Sequence, residues 1–254
     1  MDRVAIVVLS YNGFSVSKKF LDSLRKHTNP DKYQLVWIDN GSTDETVDML
    51  NGIVNDDKRD FDLHCVFSPI NTGVIGGRNM GFDLFNGSAK DTVNLSDCNF
   101  LMFIDNDQFV KAGWLEQHLS VINSGYDLVG VEAWQMNDNF LPTCRIENLS
   151  HWFAYVGCGG MIIRRTAVDK LGKFDDVFNP SYYEDPDYCF RAYKDGLSVG
   201  WNFAARIIHL PHQTLGNAPD KSQRFLKSYQ AFRAKWHGHK PPRFLQQKLI
   251  EFSK

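Results

Sequence analysis

The sequence has no long hydrophobic run. Its opening, MDRVAIVVLSYNG, holds one short apolar stretch, Val4 to Leu9, before polar residues intervene. That is too short for the core of a secretory leader or for a membrane-spanning helix, so the expected setting is cytoplasmic. Cysteine is sparse. The five (Cys65, Cys98, Cys144, Cys158 and Cys189) are odd in number, scattered, and include no CxxC pair, which fits buried, reduced thiols better than a disulfide framework or a zinc site. A dominant charge is missing too: 28 Lys and Arg against 30 Asp and Glu leave a net charge of −2. This argues against bulk electrostatic capture of nucleic acid. There is no internal repeat and no low-complexity segment. The glycines match neither the GxGxxG spacing nor the phosphate loop that ends in Lys-Ser/Thr.

What remains is a globular composition, 43% hydrophobic and 23% charged over 254 residues, enough for one large domain with an appendage. Apolar runs at Val4 to Leu9, Tyr33 to Ile38 and Leu63 to Phe67 read as buried strands. Helical patterns separate them at Phe14 to His27 and from Thr43 to about Leu50. Strand and helix alternating in this way mean parallel βαβ units, with ligands at the carboxyl ends of the strands. Asn71 to Phe85 reads as a glycine-rich loop entering a helix, and Phe153 to Ile163 as a strand or strand pair with a glycine break. Residues from Trp134 to Ser150 give no clear pattern. From Lys221 onward basic residues outnumber acidic ones in a tail that reads as helical to about Trp236, breaks at Gly238 to Pro242, and resumes to the end. The expected architecture is α/β, a mostly parallel Rossmann-like sheet flanked by helices. It spans residues 1–215, followed by a basic helical extension at 216–254.

Four clusters carry chemistry. Phe100 to Val110, FLMFIDNDQFV, is an apolar run that breaks off into Asp105-Asn106-Asp107. Two aspartates two residues apart at a strand exit can face one point, which suits a hard divalent cation held by oxygen ligands; a capped turn is the plainer alternative. His209 closes a late strand and offers a nitrogen ligand, with His212 three residues on. Asp39-Asn40 ends the second strand, where an acid either binds a nucleotide's ribose or base or makes an Asx turn; Tyr11, in the Ser10-Tyr11-Asn12-Gly13 turn, adds a ring that can stack on a base. The glycines at 73, 76, 77 and 81 let the backbone approach either a diphosphate or a neighbouring strand, and Arg78 offers a fork for phosphate or base. Glu184-Asp185-Pro186-Asp187 puts more acids at a helix start than capping needs, which points to one of them as a base.

Taken in order, VVLSYNG, IDNGSTD, NTGVIGGRNMG, IDND, GCGGMIIRR, YYEDPDYCFR and RIIHLPH resemble glycosyltransferase family 2, the group with the GT-A fold and inverting chemistry, over roughly Val4 to His209. The resemblance implies a nucleotide-binding half to about 110 and an acceptor half from about 111, with a nucleotide-sugar donor held by Ser10, Tyr11, Asn12, Asp39 and Asn106, Arg78 and Asn79 near base or phosphate, and Asp105 on the ribose side. It implies Mn2+ or Mg2+ on Asp107 and His209, Asp185 as the general base, Glu184 on a sugar hydroxyl, and Gly159 and Gly160 lining the sugar pocket. A UDP-sugar is favoured over GDP- or dTDP-sugars. The acceptor is a hydroxyl of a glycan or lipid-linked saccharide, and the basic tail is a candidate for peripheral membrane contact. The processive members' QxxRW motif is broken here, since Gln230-Ala231-Phe232-Arg233 is followed by Ala234 and Trp236 falls two residues late. Addition of one sugar per visit is therefore expected. Two other readings compete. A sugar nucleotidyltransferase should carry a basic, glycine-rich signature near the first strand, whereas SYNGFSVSKK brings lysines only later. A catalytically inactive nucleotide-sugar or glycan-binding module has no need to keep a base.

Overall fold

Aliphatic side chains at successive positions make β1 (Val4–Ser10) a strand buried on both faces, with only Leu9 partly exposed. The computed structural model to which it belongs describes residues 2–88, 93–209 and 219–245. After β1 comes α1 (Phe14–His27), which buries Phe20, Leu21 and Leu24 and places Arg25, Lys26 and His27 against its negative C-terminal dipole. Next are β2 (Tyr33–Asp39), α2 (Thr46–Val54), β3 (Leu63–Phe67) and α3 (Gly73–Phe85). The chain continues through β4 (Phe100–Asp105), β5 (Gln108–Val110), α4 (Trp114–Asn123) and β6 (Leu128–Gly130). The stretch that the sequence leaves unassigned folds as β7 (Ala133–Met136) and β8 (Pro142–Arg145). The glycine-broken stretch divides into β9 (Tyr155–Val156) and β10 (Met161–Arg164), followed by α5 (Arg165–Leu171). Last come α6 (Glu184–Lys194), β11 (Val199–Trp201), β12 (Ile207–His209) and α7 (Lys221–Lys235). The expected resumption of helix towards Lys254 lies outside the described residues, as does His212.

The central sheet has seven strands in the order β11-β6-β10-β4-β1-β2-β3. All neighbours are parallel except β10, which runs antiparallel to both β4 and β6. Its two faces read directly from the alternation of side chains. Ala5, Val7, Val36, Ile38, Leu101 and Phe103 pack on the side of α3, α5 and α6; Val4, Ile6, Val8, Leu35, Trp37, Met102 and Ile104 pack on the side of α1 and α4. Each buried Val, Leu, Ile, Met or Phe among them stabilises the fold by about 1.5–3 kcal/mol relative to its exposed state. β8, β7 and β9 form a separate three-stranded sheet, and β12 pairs with β5.

Register delivers the acids to one edge. Ser10 pairs with Asp39 across β1 and β2, and Leu9 with Asp105 across β1 and β4. The glycines of α3 have a structural use: a Cβ at Gly77 would lie 2.4 Å from Leu9 Cδ1, and one at Gly81 2.7 Å from Val7 Cγ1. They let the helix lie close on β1, so of the two readings open for these positions, the neighbouring strand holds at Gly77 and Gly81. The expected C-terminal appendage is seated on the domain through α7. Phe232 is fully buried, with its ring 5.0 Å from Tyr183 and 5.0 Å from Phe190.

Candidate active site

Beyond the carboxyl ends of β1, β2 and β4 lies a cleft of about 620 Å³. At one end, two turns are latched together. Trp37 Nε1 donates to Ser10 Oγ at 2.8 Å, Ser10 Oγ donates to Asp39 Oδ2 at 3.3 Å, and Asp39 Oδ1 accepts from Ser42 N at 2.9 Å. Asn12, in the left-handed region at φ 58°, accepts from Thr43 N at 2.8 Å through Oδ1. Ser10 and Asp39 are buried behind this latch, whereas Tyr11 lines the cleft and is 37% exposed. Its ring is thus the accessible group at this end.

At the exit of β4 the expected cluster assembles. Asp105, Asp107 and His209 each present a ligand atom, all within 4.8 Å of one another. His209 arrives because β12 pairs with β5 in a register that sets it opposite Gln108, and its Nε2 lies 3.2 Å from Asp107 Oδ1. That contact, chiefly its hydrogen bond, raises the His209 pKa above the ordinary imidazole value. Two carboxylates and one imidazole form a donor set suited to Mg2+ or Mn2+. Asn106 lines the cleft as well, although its Nδ2 is committed to Ser17 Oγ at 2.8 Å.

Arg78 joins this cluster to the second acidic group. Its guanidinium donates to Asp105 Oδ1 at 2.7 Å and to Glu184 Oε1 at 3.3 Å while almost wholly buried. Burial alone would lower its pKa, but the surrounding acids overcome that and raise it. The segments around 105–107 and 184–185, far apart in the chain, therefore meet through one side chain.

Within the first turn of α6, two aspartates have opposite surroundings. Asp187 is fully buried and tied to three donors: Arg191 Nε at 2.9 Å, Trp236 Nε1 at 2.9 Å and Lys235 Nζ at 2.8 Å. Asp185 lines the cleft, and its Oδ1 has no hydrogen-bond partner among the described residues. Burial, reinforced by the neighbouring Glu184 charge, pushes the Asp185 carboxyl well above its usual range. Burial likewise raises Glu184, with Arg78 opposing. A carboxyl so placed holds a proton with more affinity than one in water, a property required of a base near neutrality.

Gly157, Cys158 and Gly159 complete this wall. A Cβ at Gly159 would lie 2.4 Å from Asp105 Oδ2, so only glycine leaves that carboxylate free. Gly160 stands behind them: its N–H donates to Phe103 O at 2.8 Å and its carbonyl accepts from His118 Nε2 at 3.0 Å. Asn79 does not reach the cleft. Its amide donates to Phe174 O at 3.0 Å and Asp176 Oδ1 at 2.9 Å and accepts from Phe174 N at 3.0 Å, so its hydrogen bonds go to the 174–176 segment in place of a base or phosphate.

The far end of the cleft holds residues that sequence reasoning passed over. Trp134 and Tyr155 come from the three-stranded sheet, and Lys221, Arg224 and Phe225 from the first turn of α7. Phe225, Tyr229, Phe232 and Trp236 recur at helical spacing, the one signal that could have marked α7 as a packed element.

A sequence profile of glycosyl transferase family 2 matches residues 5–172. The chain belongs to that family. An uncharacterized glycosyltransferase of Haemophilus influenzae is 31% identical over 87 residues, 34% of this chain and 29% of that protein. Poly(ribitol-phosphate) beta-glucosyltransferase of Bacillus spizizenii is 26% identical over 109 residues, 42% of this chain and 15% of that protein. The chain thus matches less than a third of the length of either relative. Among solved structures, GalNAc-T7 with UDP, GalNAc and Mn2+ superposes with a TM-score of 0.73 at 14% identity, over 93% of this chain and 48% of that one. The mannosyltransferase PcManGT of Pyrobaculum calidifontis with GDP-Man and Mn2+ gives 0.64 at 16% identity, over 94% and 66%. These likenesses establish the fold of the family member, an α/β domain of GT-A type. Glu184, Asp185 and His209 fall after the residues that the family profile matches. Among the described residues, no helix is long and apolar enough to cross a membrane.

Proposed function

We propose that this family 2 domain transfers a single sugar from a nucleotide-sugar donor to a hydroxyl acceptor, with inversion at the anomeric carbon. The observation that carries the reading is the convergence of Asp105, Asp107 and His209 with Asp185 on one cleft, bridged by Arg78. Five acids line the cleft, Asp105, Asp107, Glu132, Glu184 and Asp185, against the three bases Arg78, Lys221 and Arg224. Such an excess concentrates cations in a cleft with low-dielectric walls. Asp107 and His209, joined by Asp105, would hold Mn2+ or Mg2+, which when bound supplies Lewis-acid stabilisation of a diphosphate leaving group.

The chain's own residues do the rest. Tyr11 stacks on the nucleobase, with the latched turns of Ser10, Asn12 and Asp39 fixing its place. Gly159 admits the sugar beside Asp105, and Glu184 accepts from a sugar hydroxyl. Asp185 takes the proton from the acceptor hydroxyl as that hydroxyl attacks. One base and one displacement give inversion. UDP-sugars head the donor candidates, ahead of GDP- and dTDP-sugars, because the solved neighbours were captured with UDP or GDP-mannose. Trp134, Tyr155, Tyr182 and Phe225 give the acceptor end aromatic faces suited to sugar rings, so a glycan or lipid-linked saccharide is the proposed acceptor. Peripheral attachment of a cytoplasmic enzyme through the basic tail belongs to the same proposal.

The test is a panel of nucleotide sugars with and without MnCl2, read by thermal shift, nucleoside diphosphate release and the anomeric configuration of the product. Manganese-dependent stabilisation by one donor class and an inverted product are expected. Donor binding without release or transfer would favour an inactive binding module. Pyrophosphate release from a nucleoside triphosphate would favour a nucleotidyltransferase.

A further inference from the structure

One helix grips the segment that carries Asp185 along the length of that segment. Near the C-terminal end of α7, Lys235 Nζ lies 2.6 Å from Asp175 Oδ2 and 2.8 Å from Asp187 Oδ1, and Trp236 Nε1 donates to Asp187 Oδ1 at 2.9 Å. Midway, the fully buried Ser228 donates through Oγ to the carbonyl of Ser181 at 2.9 Å, and Lys227 Nζ donates to the carbonyl of Asn179 at 3.1 Å. Towards the N-terminal end, the Phe225 ring lies 5.8 Å from Tyr182 and 5.5 Å from Tyr183. Tyr183 also meets Tyr229 at 5.8 Å and Phe232 at 5.0 Å, and its hydroxyl donates to Phe140 O at 2.9 Å.

Between these grips sits a strained pair. Tyr182 and Tyr183 have φ of 74° and 69°, two consecutive bulky residues in the left-handed region. L side chains stay there only when the surroundings over-determine them. The pair immediately precedes Glu184 and Asp185, and Tyr183 caps α6. Its handedness fixes the direction in which α6 starts, and with it the aim of Asp185 into the cleft. A core-packing role would require the aromatic stripe alone. The hydrogen bonds to the carbonyls of Ser181 and Asn179 hold the backbone on the approach to the strained pair itself.

We propose that α7, which lies wholly after the residues matched by the family profile, is the positioning element for Asp185, with Ser228 and Phe225 as its positioning residues. The inference rests on the reading of Asp185 as the base. Ser228 ties down the carbonyl just before the left-handed pair, and Phe225 covers both rings of the pair. Loosening either lets the pair relax towards ordinary φ and swings Asp185 away from the acceptor hydroxyl, while the donor end, built on β1, β2 and β4, stays in place.

The test compares Ser228→Ala, Phe225→Leu and the hydroxyl-retaining Ser228→Thr in the full chain, assayed well below each variant's melting temperature. For Ser228→Ala and Phe225→Leu, kcat should fall by about tenfold or more, as misplacement of a reacting group does, with donor and acceptor KM both within about twofold of the parent; a raised acceptor KM with kcat at the parent value would make Phe225 an acceptor contact only and count against the proposal. Ser228→Thr should recover most of the loss; if its extra methyl prevents folding, the half-buried Phe225 position decides. Melting temperatures that fall while kcat stays at the parent value would overturn the proposal, leaving α7 a packing element only. Asp185→Asn run alongside separates the two levels. If it keeps turning over, the base assignment fails and this inference with it; if it is dead while the helix variants are unaffected, only this inference fails.

Discussion

Replacing Asp185 by Asn should remove activity and make the protein more stable, by an amount that grows with pH. The side chain is half-buried, its Oδ1 lacks a partner among the described residues, and it lies beside Glu184. Its pKa in the folded chain is well above the reference value of 3.8. A raised carboxyl favours the folded state fully below the unfolded pKa. That contribution is lost as pH rises through the folded pKa, since ionisation then places a charge beside Glu184 in a largely desolvated site. Asparagine is neutral throughout, so parent and variant should be similar near pH 4 and diverge above it. An unsatisfied buried polar group costs about 1–3 kcal/mol. At roughly 2–4 °C per kcal/mol for a chain near this size, the variant should melt about 2–12 °C higher at pH 8. Transfer should fall by about 10²–10⁴-fold, the usual contribution of a positioned base, with donor binding nearly intact. The assay is differential scanning fluorimetry from pH 4 to 8 in chelator without donor, beside initial rates. A variant whose melting curve tracks the parent's at every pH would refute the buried-charge reasoning, and one that transfers sugar at near the parent rate would refute the base assignment.

Three further outcomes are expected. Asp107→Ala should weaken manganese-dependent donor binding by about tenfold or more, the scale of a lost charge-assisted contact, and chelation should do the same to the parent; calorimetric titration of UDP-sugars with equal affinity in all three cases would remove the metal from the account. Gly159→Ala should abolish donor use with little change in global stability, because its Cβ is directed at Asp105 Oδ2 from 2.4 Å; circular dichroism and rates on the same preparation check this, and normal turnover would show that the loop has room to yield. Arg78→Ala leaves Asp105 and Glu184 without their shared partner and should cost about 3–5 kcal/mol in denaturant unfolding, as loss of one member of a buried ion pair does. A cost below about 1 kcal/mol, typical of exposed pairs, would mean that water reaches this guanidinium.

Much of this was legible because it is local. Val4 to Leu9, Phe14 to His27 and Leu63 to Phe67 carry their secondary structure in the spacing of apolar residues. The acids at 39, 105 and 107 announce strand exits, and register then has to bring Asp39 and Asp105 to one edge. Properties that depend on a distant partner were not legible. Asn79 stands in a motif that suggests ligand contact, yet the carbonyl of Phe174 and Asp176 take its amide. Asp185 and Asp187 look equivalent in Glu-Asp-Pro-Asp, and only the arrival of Arg191, Lys235 and Trp236 on one of them separates the proposed base from a buttress. β7 and β8 were missed because their few residues pair with each other and with β9, with β8 largely exposed, and so show little alternation.

The reversed direction of β10 has an architectural consequence. In a purely parallel sheet, every strand leaves by the catalytic edge and enters by the opposite one, so that edge receives only outgoing chain. A strand running the other way begins where its neighbours finish, and the Gly157 to Gly160 loop is thereby delivered to the rim at which Asp39 and Asp105 depart. Incoming and outgoing backbone thus face each other across the same opening.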